Sequence, residues 1–181
     1  MNKNIIFIII MFLYIIPQTA FANNNVIGGS IGYGTQAFDI NNYTSNNGDD
    51  FVFDIYYRRM VTNNIGIDVG YVSSVSGIGS ILISTLSDIK DASFSGPRLS
   101  LYSKYSFNNG NLLYAKIGPN FYKVDYTLNN QNESDSKIGI DLQVGWEKRF
   151  NSGLGINLGY QYGKNSILVM NNFFIGTSYT F

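Results

Sequence analysis

The stretch KIGIDLQVGWEKRF, residues 137–150, sets Ile138, Ile140, Leu142, Val144 and Trp146 against Gly139, Asp141, Gln143, Gly145 and Glu147. Strict alternation is the signature of a β-strand, because successive side chains leave a pleated strand on opposite faces. The composition of the second face is the informative part. The wet face of a soluble sandwich is normally rich in Lys and Glu; this one is glycine with an amide and two carboxylates. Small residues with sparse charge suit the crowded inside of a narrow barrel, which leaves the apolar face to meet lipid.

The same arrangement recurs on either side. Residues 154–161 set Leu154, Ile156, Leu158 and Tyr160 against Gly155, Asn157, Gly159 and Gln161. Residues 51–58 set Phe51, Phe53, Ile55 and Tyr57 against Val52, Asp54, Tyr56 and Arg58, and residues 65–71 set Ile65, Ile67, Val69 and Tyr71 against Gly66, Asp68 and Gly70. Noisier runs cover about 26–37, 94–107 and 112–126. Pro119 in the last of these lacks a donor and predicts a local irregularity. The eighth run, starting as early as Leu168, ends the chain with Phe173, Ile175, Thr177, Tyr179 and Phe181 on one face, and Phe174 is its exception. Eight alternating runs predict an all-β fold: an eight-stranded antiparallel up-and-down transmembrane β-barrel.

Connections are expected to alternate long and short: 38–50, 60–64, 76–93, 108–111, 127–136, 151–153 and 163–167. Outer-membrane barrels pair short periplasmic turns with long surface loops, which puts both termini in the periplasm. Tyr57, Tyr105, Phe107, Trp146, Phe150, Tyr179 and Phe181 fall near the short-turn end. Phe51, Tyr71, Phe121, Tyr160 and Phe173 fall near the other, so two interfacial aromatic girdles are predicted. Arg59 and Lys148, outward charges, lie at strand ends where long side chains reach headgroups.

Composition narrows the function. The first 22 residues carry Lys3, an apolar run over 5–16 and Ala20 and Ala22 in the arrangement cut by signal peptidase, so 1–22 is expected to be a cleaved secretory signal peptide and 23–181 the barrel domain. Without Lys3 the 12 basic residues fall to 11 against 12 acidic ones, and this balance offers nothing to nucleic acid. There is no cysteine, so disulfides do not hold the fold. There is no histidine, which removes the commonest general base and a favoured metal ligand. No enzyme, no cofactor and no metal site is therefore expected. Glycine pairs such as Gly77 and Gly79, or Gly28 and Gly32, lack the helix and lysine of a phosphate loop and are expected in strands or loops.

Charges on the inward face form the main candidate constellation: Asp54, Arg58, Asp68, Arg98, Lys104, Lys116, Asp141, Glu147 and Arg149. Each is costly in a closed barrel unless paired, so a salt-bridged plug is expected in preference to an ion path or active site. Residues 76–93 hold a second candidate. Ile78, Ile81, Leu82, Ile83, Leu86 and Ile89 give a connection apolar enough to be a partner-binding surface, or else to pack over neighbouring loops.

With these features in place, the chain resembles the small eight-stranded outer-membrane β-barrel family, that of the OmpA transmembrane domain, OmpX, Ail and the opacity-type porin-like proteins. The resemblance covers essentially all of 23–181 and is most specific in LLYAKIGPNFYKVDY, in KIGIDLQVGWEKRFNSGLGINLGYQY and in the last strand. It implies that Gly176, Tyr179 and Phe181 form a signal for the barrel-assembly machinery, with Phe174 standing where a polar residue is usual. It also implies residence among outer-membrane lipid and lipopolysaccharide, and a surface role in adhesion, colonisation or resistance to host factors through a host or extracellular protein ligand. A structural envelope protein or narrow porin-like channel is the alternative.

Overall fold

The computed structural model describes residues 25–40, 43–76, 89–128 and 131–181. The signal-peptide expectation and most of the apolar connection lie outside these residues. Eight strands run in chain order: β1 Asn25–Ile40, β2 Tyr43–Met60, β3 Ile65–Ser76, β4 Ile89–Ser106, β5 Asn111–Leu128, β6 Gln131–Arg149, β7 Leu154–Lys164 and β8 Leu168–Thr180. Every neighbouring pair is antiparallel and the sheet closes on itself. Closure runs from Val26↔Thr180 to Phe38↔Leu168, and at its foot Asn25 and Phe181 exchange backbone hydrogen bonds of 3.0 and 2.8 Å. Closure removes the free edges that an open sheet would present to hydrocarbon.

The faces settle which solvent the apolar half meets. Ile140, Leu142, Ile156 and Leu158 are 43%, 37%, 40% and 50% exposed and point outward, whereas Asp54, Asp68, Arg98 and Asp141 are buried. Soluble proteins rarely leave a continuous apolar band to water, and a closed barrel with its polar face inward makes the outer wall a lipid-facing belt. Outward charges among the described residues stand only near strand ends: Arg59 and Lys148 at the end bearing the termini, and Asp39, Lys123, Asp125 and Lys164 at the opposite, distal end. Predicted girdle residues occupy the outer wall in contacting pairs, with ring centroids 5.0 Å apart for Tyr105–Phe107 and 5.2 Å for Tyr160–Phe173, and Phe51 packs 5.1 Å from Tyr33, which the girdle expectation did not include.

The expected alternation of long and short connections does not hold. Most of 38–50 and 127–136 is ladder, with Asp39↔Thr44 and Thr127↔Asn132 paired. The connection at 163–167 shrinks to residues 165–167, where the Asn165 side-chain oxygen accepts from the Ile167 and Leu168 N–H groups at 2.9 and 2.8 Å. Both differences have one cause. The sequence signal for a strand is the contrast between an apolar and a polar face, and residues 44–50, 131–136 and 163–166 carry no apolar side chain to supply it. Backbone pairing continues regardless, zipped onward from the anchored part. Around Pro119 the β4–β5 ladder passes from Arg98↔Asn120 to Leu101↔Ile117 without change of register, a local interruption at the predicted place. At the terminal end the turn after β6 closes through Gly153, whose N–H donates to the Phe150 carbonyl at 3.0 Å with φ +87°, a conformation suited to glycine.

Candidate functional site

Three layers fill the lumen. In the central one, Arg98 on β4 forks across to β2 and β3, with Nη2 2.6 Å from Asp54 Oδ2 and Nη1 2.6 Å from Asp68 Oδ1. Asp68 is shared with Arg58 Nε at 3.0 Å and Lys116 Nζ at 3.3 Å. Gln143 reaches Asp54 Oδ2 from β6 at 3.4 Å. Two of the cations also lie on aromatic faces, Arg58 3.5 Å from the Tyr102 ring centre and Lys116 4.0 Å from that of Tyr56. Burial of this order would cost several kcal/mol per ion if unpaired, so the pairing is what allows the layer to exist.

The remaining predicted lumen residues do not join that layer. Asp141 is buried toward the distal side and is held by neutral donors, the Tyr122 hydroxyl at 2.8 Å and Gln161 Nε2 at 2.9 Å. Glu147 and Arg149 pair with each other at 2.6 Å near the terminal end. Lys104, half-buried beside them, takes part in none of the lumen ion pairs. Asp50, which sequence reasoning missed because it falls in the connection expected at 38–50, is a fully buried lumen carboxylate. Counting it, among the described residues five lumen carboxylates (Asp50, Asp54, Asp68, Asp141, Glu147) face five cations (Arg58, Arg98, Lys104, Lys116, Arg149).

The lumen is also far more aromatic than its glycine-rich face suggested. A distal apolar cluster includes Phe38, Phe94, Tyr122, Val124, Leu168 and Met170, and a second, nearer the terminal end, holds Met60, Tyr102, Leu112, Tyr114 and Phe174. The glycines make this room. Tyr56 sits opposite Gly28 and Gly70, Tyr102 opposite Gly66, Tyr114 opposite Gly145, and Phe174 between Gly32 and Gly159. A Cβ on Gly145 would fall 2.6 Å from the Tyr114 ring and one on Gly159 2.7 Å from that of Phe174. Phe174, the exception in the last run, is thus an inward ring lodged between glycines of its two neighbours, a device that restores packing where glycine has no side chain. An aromatic paired with glycine across the β1–β2, β2–β3, β3–β4, β5–β6 and β7–β8 hairpins was the available signal. Gly145→Ala is expected to cost about 1–3 kcal/mol by overpacking against Tyr114, seen as a lower urea midpoint with folding retained.

Of the other candidates, Gly176 faces inward toward Ser30 and Asn157, while Tyr179 and Phe181 stack outside at 6.3 Å beside the closing seam. Ile78, Ile81, Leu82, Ile83 and Leu86 lie outside the described residues, and Ile89 opens β4 with its backbone paired to Leu128. Among the described residues no three carboxylates converge to hold a metal.

Solved structures share this architecture. Neisserial surface protein A matches with a TM-score of 0.69 and 12% identity, covering 90% of this chain and all of its own. Ail, the attachment invasion locus protein of Yersinia pestis, gives 0.57 and 19% over 89% of this chain and all of its own. OprG of Pseudomonas aeruginosa gives 0.58 and 13% over 88% of this chain and 96% of its own. A search of curated protein sequences gives no match. The family described as outer membrane protein beta-barrel domain matches residues 8–181. With a closed eight-strand sheet, a lipid-facing belt and an ionic lumen, the chain belongs to that outer-membrane β-barrel family.

Proposed function

We propose that this outer-membrane barrel acts at the cell surface, docking an extended segment of a partner protein on the edge of β6. One observation carries the reading. A strand needs about 9–11 residues to cross the membrane, and β6 has 19. Its pairing with β7 ends at Ile140↔Lys164, while its pairing with β5 continues to Leu128↔Gln131. Residues 131–138, about 27 Å of strand, therefore have no neighbour among the described residues on the side where the β7–β8 turn stops short. Unpaired backbone groups on such an edge accept an added strand.

In this reading the termini are periplasmic and the distal end faces outward, amid lipopolysaccharide. Gly176, Tyr179 and Phe181 serve the barrel-assembly machinery, and no catalytic role is assigned. The biological outcome would be adhesion, colonisation or resistance to host factors. One Ail structure holds the heparin analogue sucrose octasulfate. The distal charges described here disfavour a polyanion: Lys123, Lys137 and Lys164 meet Asp39, Asp125, Glu133 and Asp135. Two of those lysines are already paired, Lys123 with Asp125 at 2.6 Å and Lys137 with Asp135 at 3.1 Å. A conducting pore is disfavoured by the layered lumen, and sustained single-channel current in planar bilayers would reverse that preference.

Lengthening the β7–β8 hairpin between Lys164 and Leu168, so that it pairs with 131–138, tests the edge without altering any native side chain. Attachment of expressing cells to host cells should fall to that of cells lacking the protein. Deleting 79–89 is the companion arm. Loss of attachment only with the deletion would move the surface to that connection, and no loss with either would end the surface reading.

A further inference from the structure

The lumen charges balance in number but not along the axis. Asp50 and Asp141 lie toward the distal side, whereas Lys104, Arg149 and Arg58 gather at the terminal end, with Glu147 as their nearest carboxylate and Asp68 divided among three cations. Lys104 faces Tyr114 across the ladder, and Tyr114 faces Gly145, two residues before Glu147 on β6. The same end collects hydrogen-bond donors that have no protein acceptor: Arg58 Nη1, the Tyr102 hydroxyl, Asn157 Nδ2 and the Ser178 hydroxyl, all on residues at least nine-tenths buried. They fall into two groups at that end. The Arg58 guanidinium covers the Tyr102 ring, and the Ser178 hydroxyl and Glu147 carboxylate both crowd Gly155. Buried donors without acceptors are destabilising, and an end where Lys104, Arg149 and Arg58 outnumber the carboxylates draws an anion.

We propose that the terminal mouth of the lumen is an oxyanion site that takes a phosphate group between Lys104 and Arg149, with the Tyr102 hydroxyl and the free Arg58 nitrogen turned to it from behind. Lys104 and Arg149 are the solvent-accessible members and receive the ion first. Several donors converging from β2, β4 and β6 suit a multi-oxygen anion better than chloride, since guanidinium and ammonium groups together can serve more than one oxygen. The proposal is independent of any surface partner.

The test uses the full barrel refolded in a phosphate-free neutral detergent, with inorganic phosphate or chloride added at equal ionic strength. Phosphate should raise the temperature at which the compact gel band converts to the unfolded one, and chloride should not. Lys104→Met should fold and weaken phosphate at least about tenfold, the loss of one charge-assisted contact. Lys148→Met, which removes an outward lysine at the same end bonded to the Asn109 carbonyl, should leave the response intact. Repeating the titration in phosphatidylglycerol vesicles identifies the source. A vanished response there assigns the group to a lipid headgroup, and a retained one to free phosphate. Equal stabilisation by the two salts, or an undiminished phosphate response in Lys104→Met, would overturn the site.

Discussion

Replacing Arg98 with methionine is expected to lower the stability of the barrel by roughly 3–5 kcal/mol, the range for stripping one partner from a buried ion network. Arg98 makes a two-pronged contact with Asp54, Nη2 to Oδ2 at 2.6 Å and Nε to Oδ1 at 3.3 Å, and a third bond to Asp68. Without it Asp54 keeps, among the described residues, the long contact from Gln143 and no ion-pair partner, whereas Asp68 retains Arg58 and Lys116. The damage is thus mostly an uncompensated Asp54. Adding Asp54→Asn to Arg98→Met should therefore recover at least about 1 kcal/mol, a coupling that two independent sites would not show. Urea unfolding in lipid vesicles measures both. A single-variant loss below about 1 kcal/mol would mean that the layer is hydrated and does not behave as a dry ion cluster.

Leu142→Arg should cost roughly 2–4 kcal/mol, because it puts a cation on the lipid face away from either interface. Leu142 is outward, with Ile117 and Tyr162 beside it in the ladder and Ile140 and Val144 two residues away along β6. Ser134→Arg, on the same strand and the same face, should stay within about 0.5 kcal/mol of the parent, since β6 has by then left the membrane. The pair maps where hydrocarbon ends on one strand. Equal effects at the two positions would contradict the belt derived from residue exposure.

Much of the fold was legible because the deciding property is local. Ile138 to Trp146 declare their faces within nine residues, and so do Leu154 to Tyr160. The inward assignment of Asp54, Asp68, Arg98 and Lys116 followed from counting by twos along single strands. Two kinds of error followed from the same rule. Residues 44–50 and 131–136 carry no apolar side chain, so no alternation marks the ladder there or the inward place of Asp50. Where glycine lined the inner face, small side chains were taken to fill the lumen, although their partners across the ladder were Tyr56, Tyr102, Tyr114 and Phe174.

Period-two alternation and the chemistry of its minor face determined, with no coordinates, that eight strands close around a polar interior in a lipid solvent. Which charges meet was decided only by the closed barrel. Arg98 and Asp54 are 44 residues apart and Gln143 and Asp54 are 89 apart. Their encounter depends on the register accumulated from strand to strand around the ring, and no single strand carries that sum. The stretch of β6 that has no second strand among the described residues has the same origin: it exists because β7 and β8 turn back early, a relation between hairpins that neither hairpin records alone.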